Sequence, residues 1–212
     1  MDEKFKNIKY CLWDVDLTFY TVSPQMKEEF INKIYEYVSQ KLKVPIDEAK
    51  QRYDKEFKRI KSKTATMESL GLGKYAIQEV IDSIDKRKYL EKDSRLIQLF
   101  KDLKQYKHTI ITNSTRASIK ETLKILGLNE NLFEAIITKE DVSAYKPDPE
   151  PFLRAMAILG AKPKECVSVG DVEKSDIIPP RKLGMKTIFV WGKSNHADTS
   201  APTIYKIKKL LV

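Results

Sequence analysis

The chain has 212 residues, 42% of them hydrophobic and 33% charged, a globular composition that excludes a disordered or low-complexity chain. It is long enough for one α/β domain carrying a sizeable insert. The 39 basic and 30 acidic residues leave a net charge of +9, but the lysines are scattered through helical patterns without a basic tail, so a solvated lysine-rich surface is expected and nucleic acid is not expected as a partner.

The first apolar run, 8–13, reads as a buried strand. The region 20–91 that follows has no convincing strand. Ser23 and Pro24 form a helix cap and first helical position leading into Phe30, Ile34 and Tyr37. A second helical pattern carries Ala49, Tyr53, Phe57 and Ile60, and a third carries Ile77, Val80, Ile81 and Ile84. Beyond Asp93 or Ser94, which can cap a helix, Leu96, Phe100 and Leu103 share one face. Strand 108–112 follows, and then a helix with Ile119, Leu123 and Leu126 that Gly127 closes. Strand 135–138 precedes a helix with Phe152, Met156 and Leu159 that stops at Gly160; strands 166–169 and 187–191 complete the series. The expected fold class is α/β: a Rossmann-like parallel sheet of five core strands flanked by helices, with an inserted all-helical cap. Residues 1–19 and 92–212 would form the catalytic core and 20–91 the cap.

Four strand ends carry chemistry-bearing residues. The first ends in Asp14-Val15-Asp16-Leu17-Thr18, with two carboxylates two residues apart where open α/β sheets bind ligands. Such a pair can attack phosphorus with one carboxylate and move a proton with the other, although it also suits a plain helix cap or solvated turn. Thr112-Asn113-Ser114-Thr115 closes the second strand before a helix, which makes either an anion site or an ordinary N-cap cluster. Lys146 stands on the rigid turn Lys146-Pro147-Asp148-Pro149, either a loop residue or a fixed cation able to pair with Asp14 and a phosphate. Gly170-Asp171, with Asp176 five positions on, supplies oxygen ligands of the kind magnesium takes.

Taken in this order, the four features resemble the haloacid dehalogenase superfamily, and the likeness runs the length of the chain. Placing the insert directly after the first strand resembles that superfamily's helical-cap class. The resemblance implies that Asp14 is the nucleophile and Asp16 the general acid and base. It assigns phosphate binding to Thr112, Asn113 and Lys146. Mg2+ would be bound by Asp14, the main-chain carbonyl of Asp16 and Asp171, with Asp176 supporting the metal and the lysine. It also implies that the first strand lies between the strands ending at Thr112 and Asp171. The acid at position 16 argues for phosphate esters, because relatives that cleave carbon–halogen bonds or phosphonates lack it, whereas an alkoxide leaving group needs a proton.

The expected function is therefore a magnesium-dependent phosphomonoesterase that forms an aspartyl-phosphate. Its expected partner is a small-molecule phosphate ester: a nucleoside monophosphate, phosphoglycolate or a sugar phosphate. Phe19-Tyr20, the helix around 53–58 and 184–187 resemble the pyrimidine 5′-nucleotidase-like branch. A phosphotransferase or mutase on the same scaffold is the alternative, as is a silent or nucleic-acid-binding relative; monomer and homodimer both stay open. Pro179-Pro180 departs from the small residues common there, and a shifted helix start is expected. His108 and His196 lack metal-ligand spacing and are expected at a strand edge or the surface, while Trp13 is expected in the core or pocket wall. Cys11 and Cys166, each in an apolar run, are expected as buried free thiols. The apolar stretches are too short to span a membrane and no signal peptide is visible, so the cytoplasm is the expected location.

Overall fold

Strand β1, Tyr10–Trp13, is short because only Cys11, Leu12 and Trp13 are fully enclosed, and Lys9 ahead of it is exposed. A computed structural model describes residues 2–212. It divides into a unit built from Met1–Thr21 and Leu90–Val212 and a second built from Val22–Tyr89.

The second unit is helical. Helix α1, Pro24–Leu42, starts where the Ser23 side chain accepts from the Met26 amide and proline takes the first helical position, as expected from sequence. Helices α2, Ile46–Ile60, α3, Lys63–Ser69, and α4, Ala76–Asp82, follow. Ile34, Val38, Ala49, Tyr53, Met67, Ala76 and Val80 form its core, one buried stripe from each helix. Tyr53 stacks on Phe57 at 5.8 Å and meets Tyr35 edge-on, so these aromatics pack helices.

In the first unit β1 is joined by α5, Ser94–Asp102; β2, Lys107–Ile111; α6, Arg116–Leu126; β3, Phe133–Ile137; α7, Glu150–Leu159; β4, Cys166–Gly170; α8, Ile178–Lys182; β5, Lys186–Val190; and β6, Thr199–Ala201. The strand order is β3-β2-β1-β4-β5-β6, and every pairing is parallel. Strand β1 therefore lies between β2 and β4, which brings the ends of three strands side by side. The sheet has six strands among the described residues, one more than expected. Strand β6 is three residues long, two of them polar, too short to leave a periodic apolar signature. Two glycines, Gly127 and Gly160, end α6 and α7 in the left-handed region with φ of 77° and 60°.

Successive β1 side chains enter different cores because strand residues alternate faces. Leu12 joins Ile111, Ile137, Phe152, Ala155, Met156, Cys166 and Met185. Trp13 faces Phe19, Phe100 and His108. His108 departs from its expected edge position: it is 5% exposed, and its Nδ1 accepts from Trp13 Nε1 at 3.1 Å. Cys11 and Cys166 are both buried free thiols. Ahead of α8, one wide helical turn, Glu173–Ile177, brings in Pro179 and Pro180 within the first turn of α8, a position where the missing amide hydrogens are not needed. Among the described residues no helix is long and apolar enough to cross a membrane.

Candidate active site

Parallel strands share their polarity, so the C-terminal ends of β1, β2 and β4 open on one side of the sheet. The Asp14 amide donates to the Val169 carbonyl at 3.0 Å, which extends the β1–β4 ladder one residue past the strand and fixes the carboxylate at its edge. The chain then turns sharply. Leu17 adopts φ of 63°, a left-handed conformation that costs a residue with a Cβ about 1 kcal/mol or more. The turn folds Thr18 back so that its hydroxyl lies 2.8 Å from Asp14 Oδ2 and 3.0 Å from Asp171 Oδ1. Trp191, at the end of β5, holds the Thr18 carbonyl through an indole N–H at 3.0 Å.

Lys146 reaches the same point from the loop between β3 and α7. Its Nζ donates to Asp14 Oδ1 at 2.8 Å and to Asp176 Oδ1 at 2.7 Å. The loop that carries it is tied at both ends. Glu150 accepts from the amides of Ser143 and Ala144, and Asn113 Nδ2 donates to the Lys146 carbonyl at 2.8 Å. Asp176 is 2% exposed, and its Oδ2 accepts from the Val172 amide at 3.0 Å, so both of its oxygens are occupied. Gly170 leaves room for it: a Cβ there would lie 2.3 Å from Asp176 Cβ.

Asp14, Lys146, Asp171 and Asp176 thus form one connected group through Thr18. Asp16 lies beside it, accepting from Tyr20 OH at 2.6 Å and from the Ser114 hydroxyl. Thr112 is 4% exposed, and its hydroxyl accepts from the Ser114 amide at 3.1 Å. The amide group of Asn113 is turned onto the Lys146 backbone, so this side chain braces the lysine loop. Sequence reasoning gave Thr18 only as a motif member and did not single out Ser114, Tyr20 or Trp191 for the site. Ser114 follows Thr112 and Asn113 directly, and that adjacency was the only available signal.

The carboxylates are strained electrostatically. Burial, with Asp176 and Asp16 nearby, pushes Asp14 up to about 7 against the pull of Lys146. Burial first, then Asp14 and Asp176, pushes Asp171 up to about 8. Lys146 is itself held above its usual range: burial opposes its charge, but Asp14 and Asp176 outweigh that. Asp14, Asp171 and Asp176 each offer an oxygen within 4.8 Å of the others. A set of crowded, buried, all-oxygen donors fits a hard divalent cation such as magnesium, whose charge relieves the repulsion. The Thr18 hydroxyl bridges Asp14 and Asp171, whereas Asp176 turns its oxygens to Lys146 and the Val172 amide.

The family model described as haloacid dehalogenase-like hydrolase matches residues 11–190. A pyrophosphatase PpaX of Bacillus cereus (strain AH820) is 40% identical over 85 residues, 40% of this chain and 38% of that protein. The match thus spans about two-fifths of the length of that curated relative. Among solved structures, a HAD phosphatase from Thermococcus onnurineus superposes with a TM-score of 0.68 and 28% identity, covering 96% of this chain and 98% of that one. A predicted phosphoglycolate phosphatase from Haemophilus somnus 129PT shares the fold, with a TM-score of 0.64 at 15% identity over 98% of this chain and 99% of that one. A family match running from β1 to the end of β5, over Asp14, Thr112 and Asp171 just past strand ends and Lys146 in the loop before α7, makes this chain a member of the haloacid dehalogenase-like hydrolases.

Proposed function

We propose that the chain is a magnesium-dependent phosphomonoesterase that works on a small phosphorylated metabolite through an aspartyl-phosphate at Asp14. The observation that carries this reading is the position of Lys146 Nζ, within 2.8 Å of Asp14 and 2.7 Å of Asp176, with a second carboxylate, Asp16, two residues beyond Asp14. Lys146 favours the ionised form of Asp14 that a nucleophile requires, against the burial that pushes it up to about 7, and Asp16 is placed to move protons.

In the first step an Asp14 oxygen forms a bond to phosphorus, the bond to the ester oxygen breaks, and the leaving oxygen takes a proton from Asp16. In the second step a water oxygen bonds to the same phosphorus, the Asp14–phosphorus bond breaks, and Asp16 takes the water's proton. Phosphate leaves, with Asp14 again a carboxylate and Asp16 again carrying the proton with which it began. Lys146 balances charge on the phosphoryl oxygens, while Thr112 and Asn113, directly after β2, receive them. Asp14, the Asp16 carbonyl and Asp171 would hold magnesium, which when bound offsets phosphoryl charge that one lysine alone leaves uncompensated.

A second reading, inorganic pyrophosphate as substrate, is favoured by the 40% identity to a pyrophosphatase PpaX over 85 residues. Both readings use the same residues and differ in the leaving group. The test is turnover with magnesium on nucleoside monophosphates, phosphoglycolate, sugar phosphates, pyrophosphate and nitrophenyl phosphate, for the native chain and Asp14→Asn. The variant is expected to fold and to lose roughly four to six decades of turnover. Activity of Asp14→Asn within tenfold of native would sink the nucleophile; native turnover on none of these compounds would sink the function.

A further inference from the structure

Asp16 has to do more than lie near the substrate: its carboxyl must meet the leaving oxygen in one step and a water in the next. A carboxylate at a strand end has two soft torsions and would sample several rotamers if nothing held it. Here each oxygen is held from a different direction. Tyr20 OH donates to Oδ1 at 2.6 Å from the β1 loop, four residues on, and the Ser114 hydroxyl donates to Oδ2 from the loop after β2. Tyr20 is 5% exposed and Ser114 fully buried, so solvent does not replace either bond.

Both donors are anchored in turn. The Ser114 amide donates to Thr112 Oγ1 at 3.1 Å. Tyr20 follows Phe19, which is fully buried and packs against Trp13, Phe100 and Phe133. Between Asp16 and Tyr20, Thr18 is pinned by its hydroxyl to Asp14 and by its carbonyl to Trp191. The loop therefore cannot shift Tyr20 without breaking the Asp14 contact as well.

We infer that Tyr20 and Ser114 are positioning residues that clamp the Asp16 carboxyl group in its working orientation, a reading that rests on Asp16 as the proton donor and acceptor proposed above. Neither hydroxyl exchanges a proton with substrate. When one Asp16 oxygen gives or takes a proton, the hydroxyl on the other keeps its bond, and the serine hydroxyl, which both donates and accepts, can rotate to follow. Their effect therefore passes through Asp16 and scales with how much proton transfer a substrate needs.

The experiment uses Tyr20→Phe and Ser114→Ala in the full chain with magnesium, assayed on nitrophenyl phosphate and on a simple alkyl phosphate, in the native and Asp16→Ala backgrounds. Phosphoenzyme formation from nitrophenyl phosphate needs little protonation and is expected to stay within about threefold. On the alkyl ester kcat is expected to fall roughly tenfold or more, with KM little changed, since small misplacements of a catalytic group cost on that order. In the Asp16→Ala background the same substitutions are expected to add no further loss. Parallel losses on the two esters, or losses that persist undiminished without Asp16, would overturn the clamp and leave the phosphatase assignment standing. A native chain that turns over neither ester removes both. Should Ser114→Ala not fold, Tyr20→Phe, which deletes a single oxygen, carries the test alone.

Discussion

Lys146 Nζ lies 2.8 Å from Asp14 Oδ1, and its side chain is only 3% exposed. The second contact, to Asp176 at 2.7 Å, makes the lysine a bridge between two buried carboxylates. A buried ion pair adds little net stability over an apolar replacement, but removing one partner strands the other's charge. Lys146→Met strands two. We expect it to destabilise the fold by roughly 3–5 kcal/mol, a fall in Tm of roughly 10 °C, and to lower turnover at least about a hundredfold. Asp176→Asn, which keeps an acceptor for the Val172 amide, is expected to lose less stability than Lys146→Met. Thermal melts and nitrophenyl phosphate assays of the pair check this; equal melting of Lys146→Met and the native chain would mean that the lysine is not the counter-ion of the site.

Metal dependence has a readout apart from turnover. The raised Asp14 and Asp171 carboxyls mark a site whose repulsion a divalent cation relieves. Magnesium is therefore expected to raise the Tm of the native chain, by linkage to the folded state, and chelator to reverse it. Asp171→Asn is expected to lose most of that shift and, in parallel, the magnesium-restored activity. A native Tm indifferent to magnesium across the millimolar range would contradict the assignment of Asp171.

Which parts of this were legible in the sequence follows from the physics of each signal. The five buried strands could be read because buried parallel strands are continuous apolar runs, and the cap of α1 because Ser23-Pro24 is a local device. Asp14, Asp16 and Asp171 could be located because acids are distinctive at the ends of apolar strands, and Lys146 because it stands on the turn Lys146-Pro147 before a helix. Ser114 and Trp191 act through hydrogen bonds to partners that only the fold brings close, 98 and 173 positions away, whereas Thr18 and Tyr20 meet carboxylates four residues back across a turn whose left-handed Leu17 carries no residue-type signal. His108 escaped for the same reason, since nothing local shows that its ring is enclosed by Trp13 and Phe100. The resemblance assigns Asn113 to phosphate, and the contact of its side chain with the Lys146 backbone is a tertiary choice.

Gly170 tests how tightly the site is built. Its backbone runs so close to Asp176 that an added Cβ would sit 2.5 Å from Oδ2 of that carboxylate. Asp176 is held by the Val172 amide and by Lys146, so it has nowhere to move without releasing one of them. Gly170→Ala is expected to destabilise by roughly 1–3 kcal/mol, as over-packing does, and to cut activity more than an alanine at Gly160, where a Cβ would meet nothing within 4 Å. The measurement is Tm and kcat for both variants. A Gly170→Ala enzyme with native kcat would show that Asp176 can shift without moving Lys146.

The last prediction concerns His108 and acid. Burial pushes its imidazole down to about 4 from an ordinary 6.5. The ring is wedged against Trp13 and Phe100, and the Nδ1 that would take the proton already accepts from Trp13 Nε1. The unfolded chain therefore binds this proton at higher pH than the folded one. The stability it contributes is fully present above pH about 6.5 and is lost as pH falls toward about 4, amounting to at most about 3 kcal/mol. Asp14 and Asp171 work with the opposite sign, because their raised carboxyls make the folded state bind protons more readily as pH falls below about 8. Only a difference between variants isolates the histidine. His108→Gln keeps an acceptor for the tryptophan but does not titrate. In chelator, its Tm is expected to be lower than native at pH 7.5 and to fall less between pH 6.5 and 4. The two curves should converge toward the acid end. Curves that stay parallel across that window would mean that His108 takes up its proton in the folded chain as easily as in the unfolded one, and that its burial among the aromatic rings carries no acid sensitivity.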